Sequence, residues 1–175
     1  RNKKVEEVSK GMAQKLQFVC TVLHEPSIII LDEPFSGLDP LNADIIKNEI
    51  SNLARQGATI VFSTHRMEQV EEICEHILLI NNGLKLLDDT VQNAKNQFKL
   101  NKYILKGNNL LALQEQNNIF QILERQQDSV SLKLHENVST NDVLREVIGQ
   151  NIQVHHFSEE LPSLHQIFIE LVNSQ

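Results

Sequence analysis

The acidic pair Asp32-Glu33 closes the apolar run Ile28-Ile29-Ile30-Leu31. Successive residues of an extended chain point to opposite faces, so one carboxylate can hold a divalent cation while the other faces a water molecule. Open parallel sheets put their chemistry at the carboxyl ends of strands, where this pair falls. By itself the pattern fits a solvated acidic turn equally well. Three further groups accompany it. Ser36-Gly37-Leu38-Asp39-Pro40 follows directly, a second apolar run ends in Ser63-Thr64-His65, and Ser9-Lys10-Gly11-Met12 opens a segment of helical periodicity. A serine and a glycine at a helix start leave unpaired N–H groups that suit a phosphate, although Ser9 serves equally as a plain N-cap. The other histidines offer less. His155 and His156 are neighbours on an expected strand and face apart, and His24, His135 and His165 have no ligand partner at a suitable spacing. Glu71-Glu72 and Glu159-Glu160 read as solvated faces.

The elements that must position these residues alternate between helix and strand. From Ser9 to Leu23, Met12, Leu16, Cys20 and Leu23 recur at helical spacing, and Pro26 stops the helix. Ile28–Leu31 is continuously apolar, which predicts a strand buried on both faces of a parallel sheet. After Pro40 a second helix turns Ile45, Ile46, Ile50 and Leu53 inward and ends near Gly57. Ala58-Thr59-Ile60-Val61-Phe62 is the next strand, and Met67, Val70 and Ile73-Cys74 mark a third helix. Asn81-Asn82-Gly83 between His76–Ile80 and Leu84–Leu87 is a hairpin signal. Polar residues dominate from Gln92 to Lys102, and the domain boundary is placed there, giving residues 1–97 and 98–175. The second part reads as strand (Tyr103–Leu105), helix (Leu110–Gln116), strand (Ile119–Leu123), strand (Val130–Leu134), helix (Asn141–Ile148) and strand (Ile152–Phe157), with Thr140 or Asn141 as the cap of its second helix. That βαββαβ order is the split-βαβ pattern of ferredoxin-like folds, in a chain of α/β class overall. A final helix after Pro162 carries Leu164, Ile167, Phe168 and Leu171 on one stripe and needs a neighbour to dock on, because so small a unit has a limited core.

Taken in order, four segments closely resemble the nucleotide-binding subunits of ABC transporters. Val8 to Met12 resemble the signature motif, Ile28 to Glu33 the Walker B strand and its following glutamate, Ser36 to Asp39 the D-loop, and His65 the switch histidine. The resemblance implies part of a P-loop NTPase (ABC ATPase) domain with parallel strands, followed by a small accessory domain. The Ser-Lys-Gly-Met form of the signature, the boundary near Phe98 and the closing Leu161-Pro162-Ser163-Leu164 resemble the subgroup that includes exporters of the sodium-extrusion and drug-resistance type. It implies ATP and Mg²⁺ as ligands, with Asp32 on Mg²⁺, Glu33 orienting or deprotonating the attacking water, and His65 against the γ-phosphate. Ser9, Lys10, Gly11, Met12 and Gln14 would face the ATP of a second, identical subunit, and Asp39 would lie across that interface. A membrane-spanning permease would be the other partner, holding the protein peripherally at the cytoplasmic face of the cell membrane. Lys10 and Met12 stand where the family has Gly and Gln: the first adds positive charge near a phosphate, and the second removes an amide. No Gly-x-x-x-x-Gly-Lys-Ser/Thr phosphate loop occurs, and the chain does not begin with Met. It therefore reads as a piece of something longer, inactive alone, whose unpaired sheet edges would make it aggregate or self-associate.

Composition narrows the alternatives. At 175 residues and 20.0 kDa, with 41% hydrophobic and 22% charged residues, the chain is an ordinary globular protein rather than a disordered or fibrous one. No apolar run approaches the ~20 residues of a membrane span, and Arg1-Asn2-Lys3-Lys4 runs into Glu6-Glu7, unlike a signal peptide. The balance of 16 basic against 23 acidic residues, net −7, argues against a general grip on nucleic acid or anionic lipid. One tyrosine and no tryptophan provide no platform for stacking bases. Both points disfavour a non-transport ABC ATPase acting on ribosomes or DNA. A third reading makes the accessory half a regulatory or dimerising module, by analogy of fold alone. Cys20 and Cys74 fall within apolar helical patterns and predict two buried thiols in a reducing compartment.

Overall fold

The Ser9 hydroxyl accepts the Met12 N–H at 3.2 Å and so starts the first helix, α1 (Lys10–Val22). The computed structural model describes residues 9–116 and 118–174; Val8 of the expected signature and the side chain of Lys10 lie outside the described residues. Contacts divide the chain into two compact units, 1–74 and 75–175. In the first, β1 (Ile28–Asp32) and β2 (Thr59–Ser63) pair in parallel with Ile29 opposite Ile60 and Asp32 opposite Ser63. The crossover is α2 (Pro40–Arg55), begun by Asp39 as N-cap and by Pro40, whose missing N–H costs nothing at a helix start. A short α3 (Met67–Ile73) follows. Phe18, Phe35, Ile46 and Ile50 form the buried core, with Leu31, Leu38, Ile60 and Phe62 packed against it. Phe35 meets Phe62 edge-on, centroids 5.8 Å apart.

The expectation that the first strand is buried on both faces is not met. Ile29 is 2% exposed, but its neighbours Ile28 and Ile30 are 62% and 75% exposed, because the helices cover only one face of the two-stranded sheet. Cys20 is likewise exposed rather than buried, since it lies on the uncovered side of α1 with Leu16 and Val19. Cys74 is partly covered, and burial pushes its thiol up to about 11.

The second unit opens with the hairpin β3 (His76–Asn81) and β4 (Leu84–Thr90). Asn82 and Gly83 both have positive φ, 48° and 77°, as a two-residue type I′ turn requires. The first part of the polar stretch from Gln92 to Lys102 lies in a helix, α4 (Val91–Gln97), capped by Thr90. Only Ala94 of this helix is buried, so it leaves almost no apolar signature in the sequence. It packs against α6 (Leu164–Asn173), the neighbour that the last helix needed.

Four strands, β5 (Lys102–Asn108), β6 (Phe120–Arg125), β7 (Ser129–Leu134) and β8 (Gln153–Glu159), form a sheet in the order β6-β7-β5-β8, antiparallel throughout. This is the strand order of the split-βαβ arrangement. The helix expected at Leu110–Gln116 is instead a 3-10 turn over Leu110–Ala112. Asn109 enters it in the left-handed conformation, and the Arg125 guanidinium takes the carbonyls of Leu110 and Leu113 at 2.9 and 2.6 Å. Those carbonyls therefore have no need of a helical ladder. Helix α5 (Thr140–Gly149) covers the sheet; its cap is Ser139, in a capping box with Asp142, not Thr140 or Asn141. Leu105, Phe120, Val130, Leu132, Val143 and Val147 are at the centre of this core. Register steps from Lys106–His156 to Gly107–Val154, which makes His155 the extra residue of a β-bulge. Both histidines are exposed. Among the described residues, no helix is long and apolar enough to cross a membrane.

Candidate functional site

Parallel, in-register pairing of β1 and β2 brings the two strand ends side by side, and each acid is tied to the end of the neighbouring strand. Asp32 accepts the Ser63 hydroxyl. The Glu33 N–H donates to the Ser63 carbonyl at 3.0 Å. The Glu33 carboxylate then collects three donors. Oε1 accepts the His65 main-chain N–H at 3.0 Å and lies 2.6 Å from His65 Nδ1, and Oε2 accepts the Thr64 hydroxyl at 3.2 Å. An ionised carboxylate only accepts, so Nδ1 carries the proton and Nε2 remains for another partner. Partial burial pushes the Glu33 carboxyl up, but the His65 ring, the His65 N–H and the Thr64 hydroxyl together outweigh it. The net result is below the ordinary value of 4.5. The Glu33 side chain is 33% exposed and that of His65 77%, so a ligand can reach the pair from solvent.

Glu33 has φ of 46°, the left-handed region, in a non-glycine residue that precedes proline. Its carbonyl accepts the Ser36 N–H at 3.1 Å, closing the turn that carries the chain away from β1. The same carbonyl, and that of Pro34, accept the Gln14 carboxamide nitrogen at 3.2 and 2.9 Å. Both N–H groups of that amide are thus spent within the chain. Gly11 sits where a Cβ would lie 3.4 Å from the Leu38 side chain and 3.7 Å from the Gly37 carbonyl, so the start of α1 packs on the Ser36–Asp39 loop. Ser9 and Met12 are exposed at that helix start.

Asp39 is the cap of α2. Its Oδ1 accepts the Asn42 N–H at 3.0 Å and its Oδ2 the Asn42 side-chain amide at 2.5 Å, while Asn42 Oδ1 accepts Lys15 Nζ at 2.7 Å. The Asn42 N–H first, then its amide, hold the Asp39 carboxyl below the usual range. Asp32, Glu33 and His65 therefore stand together at the strand ends. Ser9, Gly11 and Met12 are at the start of α1, and Gln14 and Asp39 use their polar groups inside the unit. Thr64, Ser63 and Asn42 were not singled out from sequence. Asn42 carried a signal, being the third residue after a capping Asp. Ser63 and Thr64 carried none, because only strand register shows what they meet.

Among the described residues, no group of three or more His, Cys, Asp and Glu side chains could hold a metal ion. One carboxylate at a strand end does fit Mg²⁺ arriving with a nucleotide, since that ion keeps its waters and takes one or two protein carboxylates beside phosphate oxygens. Asp32, oriented by Ser63, is the carboxylate placed where it could do so.

Residues 90–172 match the family model for the C-terminal domain of ATP-binding protein DrrA1-3-like, and residues 4–70 match one described as an AAA domain, putative AbiEii toxin, Type IV TA system. Over 174 residues, 99% of the chain, it is 41% identical to the uncharacterized ABC transporter ATP-binding protein YhaQ of Bacillus subtilis (strain 168), covering 58% of that protein. Along nearly its whole length the chain is similar to ATP-binding proteins of ABC transporters. Another such protein, from Alkalihalophilus pseudofirmus, is 36% identical over 98% of the chain and 64% of its own length. A solved ATP binding subunit of an ABC transporter superposes with a TM-score of 0.50 at 36% identity, over 53% of this chain and 39% of that one. The chain spans about six-tenths of the length of these curated relatives. Its α/β fold, a parallel pair followed by an antiparallel sheet, is that of part of an ABC ATPase with an accessory unit.

Proposed function

We propose that this chain is the signature, Walker B and switch-histidine portion of an ATP-hydrolysing subunit of an ABC transporter, with an accessory domain behind it. The observation that carries the reading is the Glu33 carboxylate, ionised and clasped by Thr64 and His65 one residue beyond an acid suited to a nucleotide-borne cation. Glu33 orients a water and takes its proton as the bond to phosphorus forms, because a carboxylate fixed in this way is ionised at neutral pH and aimed by its donors. His65 holds Glu33 through Nδ1–H, and Nε2, when it also carries a proton, donates to the terminal phosphate. Asp32 holds Mg²⁺, which when bound offsets the negative charge of the phosphates. Ser9, Lys10 and Gly11, at the free N–H groups of α1, meet the terminal phosphate of the ATP bound by a second copy, and Met12 lies beside it.

In this reading residues 1–97 belong to the nucleotide-binding domain and 98–175 to the accessory domain. The phosphate loop, absent from these residues, belongs to the remainder of a longer subunit, so residues 1–175 alone neither bind ATP tightly nor hydrolyse it. The complete subunit pairs with itself and with a membrane-spanning permease at the cytoplasmic face, most in keeping with export. The test is Glu33→Gln in the full-length subunit. ATP turnover should fall by about 10²–10⁴-fold with nucleotide binding retained. Unchanged turnover overturns the proposal.

A further inference from the structure

Resting on Glu33 as the water-activating group, we infer that Gln14 is a positioning residue whose carboxamide, bonded to the carbonyls of Glu33 and Pro34, fixes the left-handed turn that aims the Glu33 carboxylate at Thr64 and His65. Sequence places Gln14 among the residues facing nucleotide, but the geometry directs it elsewhere. Two carbonyl acceptors can be served only by the NH₂ end of the amide, at 2.9 and 3.2 Å, so the assignment of nitrogen and oxygen follows from chemistry. The residue so held is the one that needs holding. A non-glycine residue at φ of 46° before proline is disfavoured and persists only where surrounding bonds over-determine it. Three bonds do so here: the Glu33 N–H to the Ser63 carbonyl, the Ser36 N–H to the Glu33 carbonyl, and the Gln14 amide.

Of these, the Gln14 bond is the one that comes from a helix, since the Ser63 carbonyl belongs to β2 and the Ser36 bond closes the turn itself. Its base is firm, because Phe18 on the same helix is buried in the core and Lys15 is bonded to Asn42. Movement of α1 along its axis thus pulls directly on the main chain that carries the catalytic carboxylate. The start of the same helix is where the partner's phosphate would arrive. Gln14 therefore connects arrival of that phosphate to alignment of the base.

The experiment compares Gln14→Glu, which sets a carboxylate against two carbonyls at almost unchanged size, with Gln14→Lys, which keeps N–H donors within reach. Both are made in the full-length subunit. ATPase kinetics give kcat and KM, and amide hydrogen exchange without nucleotide follows the His65 N–H, which the Glu33 carboxylate accepts. Gln14→Glu should lower kcat by about 10–100-fold with KM for ATP unchanged, as misplacement of an otherwise intact group does. Exchange at His65 should become faster as the Glu33 carboxylate lets go of it. Gln14→Lys should recover much of both. A raised KM with His65 exchange unchanged would make Gln14 a nucleotide contact and overturn the inference. If Glu33→Gln itself leaves turnover intact, the functional proposal fails, and His65 exchange in Gln14→Glu still decides whether Gln14 sets the Glu33 side chain.

Discussion

Replacing Gly107 with alanine tests the packing of the accessory unit at its tightest point. A Cβ there would lie 2.1 Å from the Gln153 carbonyl oxygen, 3.1 Å from its carbon and 3.4 Å from Val154 Cα, all of them main chain. Ordinary C···O contacts are about 3.3–3.6 Å, so β8 must retreat by more than 1 Å, and no rotamer change can relieve the clash. The retreat falls where register already steps around His155, and it pulls Gln153 from the Asn108 amide that donates to it at 3.0 Å. Overpacking of this kind costs about 1–3 kcal/mol and a lost strand-end bond about 1 more. The sum, about 2–4 kcal/mol, should lower Tm by roughly 5–15 °C. Urea unfolding followed by tyrosine emission reads this unit selectively, because Tyr103 is the only tyrosine, stacked at 5.2 Å on Phe157, and tryptophan is absent. Gly149→Ala is the control, since a Cβ there meets nothing within 4 Å, and it should be neutral or slightly stabilising. A Gly107→Ala protein within about 0.5 kcal/mol of the parent would refute the reasoning.

Arg125→Met removes the guanidinium bonds to the Leu110 and Leu113 carbonyls, leaving Leu110 with the Leu113 N–H, and should cost about 1–3 kcal/mol, with faster amide exchange through residues 110–113; unchanged exchange would show that the turn holds itself. Because the folded Glu33 carboxyl lies below 4.5, its contribution to stability is present above that pH and is lost as pH falls through the folded value. The Tm difference between parent and Glu33→Gln should thus be small but measurable at pH 7 and shrink as pH falls below 4.5; a gap that widens on acidification contradicts the pairing with His65. Residues 1–175 in isolation should self-associate through the uncovered face bearing Ile28, Ile30 and Val61, and Ile30→Lys should shift light scattering toward monomer. Equal association by both proteins would exclude that face.

Fold class, the hairpin and the strand ends bearing chemistry were legible because they depend on local period and punctuation. An apolar run ending in two acids, an Asn-Gly pair between apolar runs and a Ser before a helical stripe keep their meaning wherever they occur. What failed depended on neighbours. Helix α4 buries one alanine and so shows no apolar period, and the residues of the 3-10 turn have a helical pattern but give their carbonyls to Arg125, distant in sequence. The apolar residues of β1 anticipate two covered faces, yet the described chain covers only one.

From residue order alone came the family's motifs, the α/β alternation and the pairing of Asp32-Glu33 with a histidine one strand away. The fold alone decided how each polar atom is used. Parallel register carried Ser63, Thr64 and His65 to the two acids, and helix docking set the Gln14 carboxamide against the carbonyls of Glu33 and Pro34. A side chain's type sets what it can donate or accept, but its partner depends on which atoms the packed core brings within about 3 Å.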